Sequence, residues 1–212
     1  MGLLSLFVPP AQAAALLVIP AIGTNIWQMA AGPALAKLAR RFAGMIVGVF
    51  AGTFATIGLL ARTSPLAPAL LGLVLAAYGI YGLVARRFEV PRRSERWLSP
   101  LVGLMTGLLM GATGVYVVPT VPYLTSLEMD REELVQAIGI AAFVCPLALG
   151  LGLAMHGEYR AGLAATSLVA LLPALAGMAL GQRLRRRLRA AVFTRVFFVG
   201  LAALGIYTFL RS

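Results

Sequence analysis

Thr24, Asn25 and Gln28 form the densest group of polar side chains inside any charge-free stretch of the sequence. Asn25 and Gln28 stand three residues apart, so on a helix they share a face, with Thr24 beside them. An amide in hydrocarbon must find a partner or a water-filled cavity. The trio is therefore expected to coordinate a substrate, with simple hydrogen bonding between helices as the alternative. A second group lies at Gly111-Ala112-Thr113-Gly114, followed by Pro119 and Pro122. Breakers in the middle of a long apolar stretch predict a broken helix. Its unpaired N–H groups and positive dipole end make an anion site that needs no buried cation. Gly111, Thr113 and Gly114 would let backbone approach the ligand, the Thr113 hydroxyl would donate to an oxyanion, and Pro119 would hold the break open. Helix packing is the competing reading for small residues. Cys145, beside Pro146, falls at the second-half position matching the Thr24 region and joins the site on that ground, although a buried cysteine is more often a packing residue.

Groups for covalent or acid–base chemistry are scarce. The seven acids, Glu89, Glu95, Glu128, Asp130, Glu132, Glu133 and Glu158, sit between the apolar stretches, and the one histidine, His156, sits at the end of one. No carboxylate relay of the proton-coupled kind is present in a span. One histidine and one cysteine supply neither a catalytic constellation nor a metal site, so the expectation is no enzyme, no metal and no cofactor.

The elements that must hold these residues are read from composition. A hydrophobic fraction of 60% with 12% charged residues, and a mean hydropathy of +0.92, place the chain in the membrane class. Residues 11–36, 43–61, 63–85, 97–127, 134–155 and 161–182 contain no Asp, Glu, Lys, Arg or His, and 191–210 contains only Arg195. Each is long enough for the roughly 30 Å hydrocarbon layer, where continuous apolar runs must be helices to satisfy their own backbone. The fold class is all-α, a polytopic membrane protein with the lipid bilayer as its main partner.

The net charge of +11 comes from arginine in short connections and reports topology rather than a nucleic-acid partner. Lys37/Arg40/Arg41, Arg86/Arg87/Arg92/Arg93/Arg96 and Arg183/Arg185/Arg186/Arg187/Arg189 should all face the cytoplasm. All three agree if 13–34 runs inward, 43–61 outward and 66–85 inward, and if 98–127 dips in and returns. A continuous helix over that last stretch would measure about 45 Å, too long for one span. A re-entrant or broken helix at 98–127 is predicted, with a kinked single helix as the alternative.

Leu75-Ala76-Ala77-Tyr78-Gly79-Ile80-Tyr81 recurs as Leu201-Ala202-Ala203-Leu204-Gly205-Ile206-Tyr207 at an offset of 126, and Pro20 and Pro146 share that offset. Gln12-Ala13 matches Gln136-Ala137, and Gly48-x-x-x-Gly52 matches Gly177-x-x-x-Gly181. Two repeats of inverted topology are implied, the architecture of alternating access around a mid-membrane site. The division expected is 1–85 as the first repeat, 86–97 as a basic cytoplasmic loop and 98–212 as the second repeat. The first repeat reads as incomplete at its N-terminus, lacking a counterpart of the 98–127 hairpin.

Val8-Pro9-Pro10-Ala11-Gln12-Ala13-Ala14 leading to Ile19-Pro20 and Thr24-Asn25, the stretch from Gly103 through Pro119 with Tyr123-Leu124, and Gly177 through Arg187 together resemble the TauE/SafE family of sulfite and organosulfonate exporters. In that family a glycine cluster is followed by an apolar run and a proline, as Gly-Ala-Thr-Gly-Val-Tyr-Val-Val-Pro is here, though Ala112, Thr113 and Tyr116 thin the cluster. The resemblance implies a secondary transporter in the bacterial inner membrane, exporting a small anion such as sulfite, a sulfonate or a related oxyanion. An anion leaving a negative-inside cell gains roughly 2.3 kcal/mol per charge per 100 mV, so export needs no proton relay. A membrane scaffold, a non-transporting paralogue and an anion channel are the alternatives, and a homo-oligomer is left open.

Overall fold

The structure is a computed structural model that describes residues 10–30, 32–61, 66–84, 90–157 and 190–211. Among them every regular element is a helix: α1 Pro10–Ala30, α2 Leu35–Arg41, α3 Ala43–Ala61, α4 Leu66–Val84, α5 Arg92–Thr113, α6 Val117–Ser126, α7 Arg131–Met155 and α8 Ala190–Arg211. Four are long and apolar enough to cross a membrane, Ala11–Ala30, Ala43–Ala61, Leu66–Val84 and Arg131–Met155, and Arg195–Leu210 is a shorter apolar helix. The 161–182 stretch and the Arg183–Arg189 cluster lie outside the described residues, as do Arg86 and Arg87.

Among the described residues three helix pairs pack most closely, α3 with α5, α4 with α8 and α1 with α7. Glycine sets the first. A Cβ at Gly48 would sit 2.5 Å from the Pro100 carbonyl oxygen, and one at Gly52 would sit 2.6 Å from Leu108 N. From the other side, Gly103, Gly107 and Gly111 face the backbone of Met45, Val49 and Thr53 in turn. Both series ascend together, so α3 and α5 are parallel. Two rows of small residues at four-residue spacing let the backbones meet, and packing of this kind drives helix association where lipid removes the hydrophobic incentive.

The α4–α8 pair is antiparallel and reciprocal. Gly79 abuts Ala202, and Gly205, its counterpart at the offset of 126, abuts Ala76, the counterpart of Ala202. Tyr78 and Phe198 close the seam edge to face with ring centroids 5.4 Å apart. The α1–α7 pair is also antiparallel, since Val18 meets Gly150 and Gln28 meets Gly139. Helices α3, α5, α7 and α8 thus run one way, and α1 and α4 the other.

The 98–127 segment is broken and doubles back. Helix α5 ends at Gly114, whose φ of 73° is the left-handed conformation that glycine adopts without cost, and its N–H returns to the Met110 carbonyl at 2.7 Å. Helix α6 comes back along α5, tied by a 2.7 Å hydrogen bond between the Thr106 and Thr120 hydroxyls and a 2.6 Å one between Ser99 and Tyr123. One boundary differs from expectation. Helix α5 starts at Arg92, inside the segment read as a basic loop over 86–97, because the extended Pro91 (φ −60°, ψ 138°) is preset to introduce a helix.

One end of the molecule gathers the charge. Arg41 grips Glu95 with two bonds, at 2.5 and 2.8 Å, and Lys37 reaches Glu133 at 2.6 Å. These pairs dock α2 onto the first turns of α5 and α7. Gln136 completes the junction. Buried to 2% exposure, it donates to the carbonyls of Met29 and Gly32 at 3.0 and 2.6 Å and accepts the Ala34 N–H at 3.0 Å. Three backbone groups at the α1–α2 turn would otherwise lack partners.

Candidate functional site

Helices α1 and α7 each carry an internal proline, Pro20 and Pro146. A proline in a helix interior removes one intrahelical bond and crowds the preceding turn, which loosens the packing of both helices at the same level. A cavity of about 360 Å³ opens there, lined by Pro20, Ala21 and Thr24 of α1, Pro146 and Leu149 of α7, and Gly114 and Tyr116 at the break between α5 and α6. Ala14, Leu17 and Val18 complete an otherwise apolar wall.

Polar groups are few and specific. The Tyr116 hydroxyl makes no hydrogen bond among the described residues, although its ring lines the cavity. Tyr116 is also the N-cap residue of α6, and that helix end has no side-chain cap. Its first N–H groups therefore start the helix with no side-chain acceptor. The opposite end of the break is occupied: Thr56 donates to the Leu108 carbonyl at 2.8 Å, Thr113 to Leu109 at 2.6 Å and the Gly114 N–H to Met110 at 2.7 Å. Carbonyls near the break are engaged, while at the start of α6 no side chain caps the helix, Val118 departs from helical geometry and Pro119 carries no N–H.

The residues singled out in the sequence separate into groups. Thr24 and Gly114 line the cavity. The Thr24 hydroxyl donates to its own helix, to Pro20 O at 2.8 Å, which leaves the oxygen lone pairs facing outward. Asn25 turns its amide back to Ala21 O at 2.7 Å, and Gln28, one turn beyond Thr24, reaches Val135 O at 3.3 Å. Thr113 is 1% exposed and braces the break, also accepting the Val115 N–H at 3.2 Å. Gly111 faces Thr53 and Thr56 in the α3–α5 seam, and Cys145 is buried in the apolar core beside Ala148 and Leu149. Pro119 follows a cis peptide bond within α6, where Val118 departs from helical geometry, and lies outside the cavity wall.

Tyr116 was the residue not singled out. A tyrosine two residues past a glycine break in an uninterrupted apolar stretch was the available signal, since its hydroxyl needs a partner in hydrocarbon. Comparison with known protein families matches residues 1–208 to the family described as sulfite exporter TauE/SafE. No curated protein and no solved structure matches the chain.

Proposed function

The chain belongs to the sulfite exporter TauE/SafE family, and on that premise we propose that it exports sulfite or a closely related small oxyanion through the cavity between Pro20, Pro146 and Tyr116. Family membership and the apolar helices make it a multi-pass membrane transporter of sulfite or related anions. The finer reading is carried by one observation: the Tyr116 hydroxyl, with no hydrogen bond among the described residues, borders a cavity flanked by two helices that each carry an internal proline.

The charged end, with Lys37, Arg41, Arg93 and Arg96, is the cytoplasmic face under the positive-inside rule. An oxyanion arriving from it would lose water to an apolar chamber and regain a hydrogen bond from the Tyr116 hydroxyl. None of the described carboxylates lies within the body of a span; Glu95, Glu132 and Glu133 are in first turns. Membrane potential is then the natural driving force, at roughly 2.3 kcal/mol per charge per 100 mV. The reciprocal α4–α8 contacts support a pseudo-two-fold relation between the halves, and alternating access would exchange the roles of α1 and α7 about it.

The test is flux of labelled sulfite into proteoliposomes holding the full chain, with an imposed potential. Saturable movement that follows the sign of the potential supports the reading. Flux that ignores the potential counts against it, and a rate that never saturates makes the protein a channel.

A further inference from the structure

A second depression, of about 520 Å³, lies at the charged end, where the last turn of α1 faces the first turns of α7. Gln28 and Gly32 form one side, and Arg131, Glu132, Val135 and Gln136 the other. We infer that this groove is the cytoplasmic mouth of the transport path and that Arg131 recruits the anion there, an inference that rests on the oxyanion-transport reading above.

Four observations converge on it. Thr24 lines the central cavity and Gln28, four residues on and so on the same face of α1, lines the groove. Along α7 the order is the same, with Arg131 to Gln136 at the groove and Pro146 and Leu149 at the cavity. The two spaces are consecutive along a single helix pair. Between them α1 and α7 touch backbone to backbone: a Cβ at Gly139 would lie 2.9 Å from the carbonyl carbon of Gln28. This contact closes the way between groove and chamber, and a shift of α1 against α7 about Pro20 and Pro146 would open it.

The charge pattern assigns the groove its ligand. Lys37 is committed to Glu133 and Arg41 to Glu95. Arg131 is exposed and makes no ion pair or hydrogen bond among the described residues. Gln28 offers an amide beside it, held by only a 3.3 Å bond to Val135 O. Glu132 on the same rim, with Asp130 beside Arg131 in sequence, offsets the arginine charge, so recruitment rests on direct contact with the Arg131 guanidinium rather than on a positive field. A guanidinium fork suits a planar or pyramidal oxyanion with two adjacent oxygens.

The experiment compares the full chain with Arg131→Gln and Arg131→Lys in sulfite flux from vesicles oriented with the charged end facing the supplied sulfite. Arg131→Gln should raise the half-saturating sulfite concentration about five-fold, the effect of one unit charge near a surface, and leave the maximal rate within about two-fold. Arg131→Lys should restore most of the affinity, and the difference should shrink as inert salt approaches about 1 M. An unchanged half-saturation in Arg131→Gln overturns the inference, as does a fall in maximal rate that lysine does not rescue. A wild type that moves no sulfite overturns the transport reading itself; a wild type that moves it identically to Arg131→Gln overturns only the vestibule.

Discussion

Pro20 of α1 and Pro146 of α7 face one cavity from two helices, and 126 positions of sequence separate them. Each lies inside a helix that continues past it, and Tyr116 borders the same cavity. Both prolines thus sit mid-helix, beside the cavity, rather than at the helix ends.

Replacing Pro146 with Ala restores an intrahelical hydrogen bond. Stability in detergent should rise by about 1–3 kcal/mol, since proline costs about 3 kcal/mol in a helix interior. Sulfite flux should fall several-fold because the stiffened α7 no longer yields. A thermal melt and a flux assay on one preparation decide it; a variant both stabler and fully active would show that the break is not used.

Tyr116→Phe keeps the ring and removes the donor. The half-saturating concentration should rise by about ten-fold, the worth of one hydrogen bond to a charged group, with the melting temperature unchanged. Unaltered affinity would remove Tyr116 from the site.

Gly48→Ala brings a Cβ to 2.5 Å from the Pro100 carbonyl oxygen, with backbone that cannot give way, and should cost about 1–3 kcal/mol. Gly200→Ala is the control. Among the described residues nothing lies within 4 Å of a Cβ there, and the change should be neutral or stabilise by up to about 1 kcal/mol. Equal behaviour of the two in thermal unfolding would mean that the α3–α5 seam is not the close contact described.

Gln136→Leu strips the α1–α2 turn of three hydrogen-bond partners, with an expected loss of about 2–4 kcal/mol. Gln136→Glu should do no better, because a carboxylate can accept from Ala34 N but repels the carbonyls of Met29 and Gly32. A glutamate variant that melts with the wild type would contradict the assigned bonds.

Arg41→Lys tests the geometry of the charged junction. The hydrogen-bonded Glu95 carboxylate raises the Arg41 pKa above its usual value, so the guanidinium is charged at every workable pH. Lysine keeps the charge but cannot make the paired bonds to Glu95, and with the pair at 23% and 13% exposure the loss should be about 1 kcal/mol.

Much of the fold was legible in the residues. Charge-free stretches located α1, α3, α4 and α7, and the length of 98–127 with Gly114 in its middle foretold the doubling back, since neither a 45 Å helix nor an unsatisfied break in lipid is stable without a reason. The start of α5 was missed by six residues because arginine and glutamate in a first turn look the same as a loop in composition.

The site was less legible, and each divergence has a physical source. Gly111 and Gly114 are identical in sequence terms, since a backbone that must approach a ligand and one that must approach a neighbouring helix both demand the absence of a Cβ. Only tertiary placement assigns Gly111 to the α3 seam and Gly114 to the cavity. Asn25 shares a face with Gln28 but turns its amide onto Ala21 O, a local option open to any short polar side chain in a helix. Pro20 and Pro146 were visible as repeat marks, and their convergence depends on the antiparallel pairing of α1 with α7.

The contacts of Gly79 with Ala202 and of Gly205 with Ala76 are one contact written twice. A surface that pairs with its own copy in antiparallel sense encodes both walls of a seam in a single stretch of sequence, the isologous logic of a symmetric dimer.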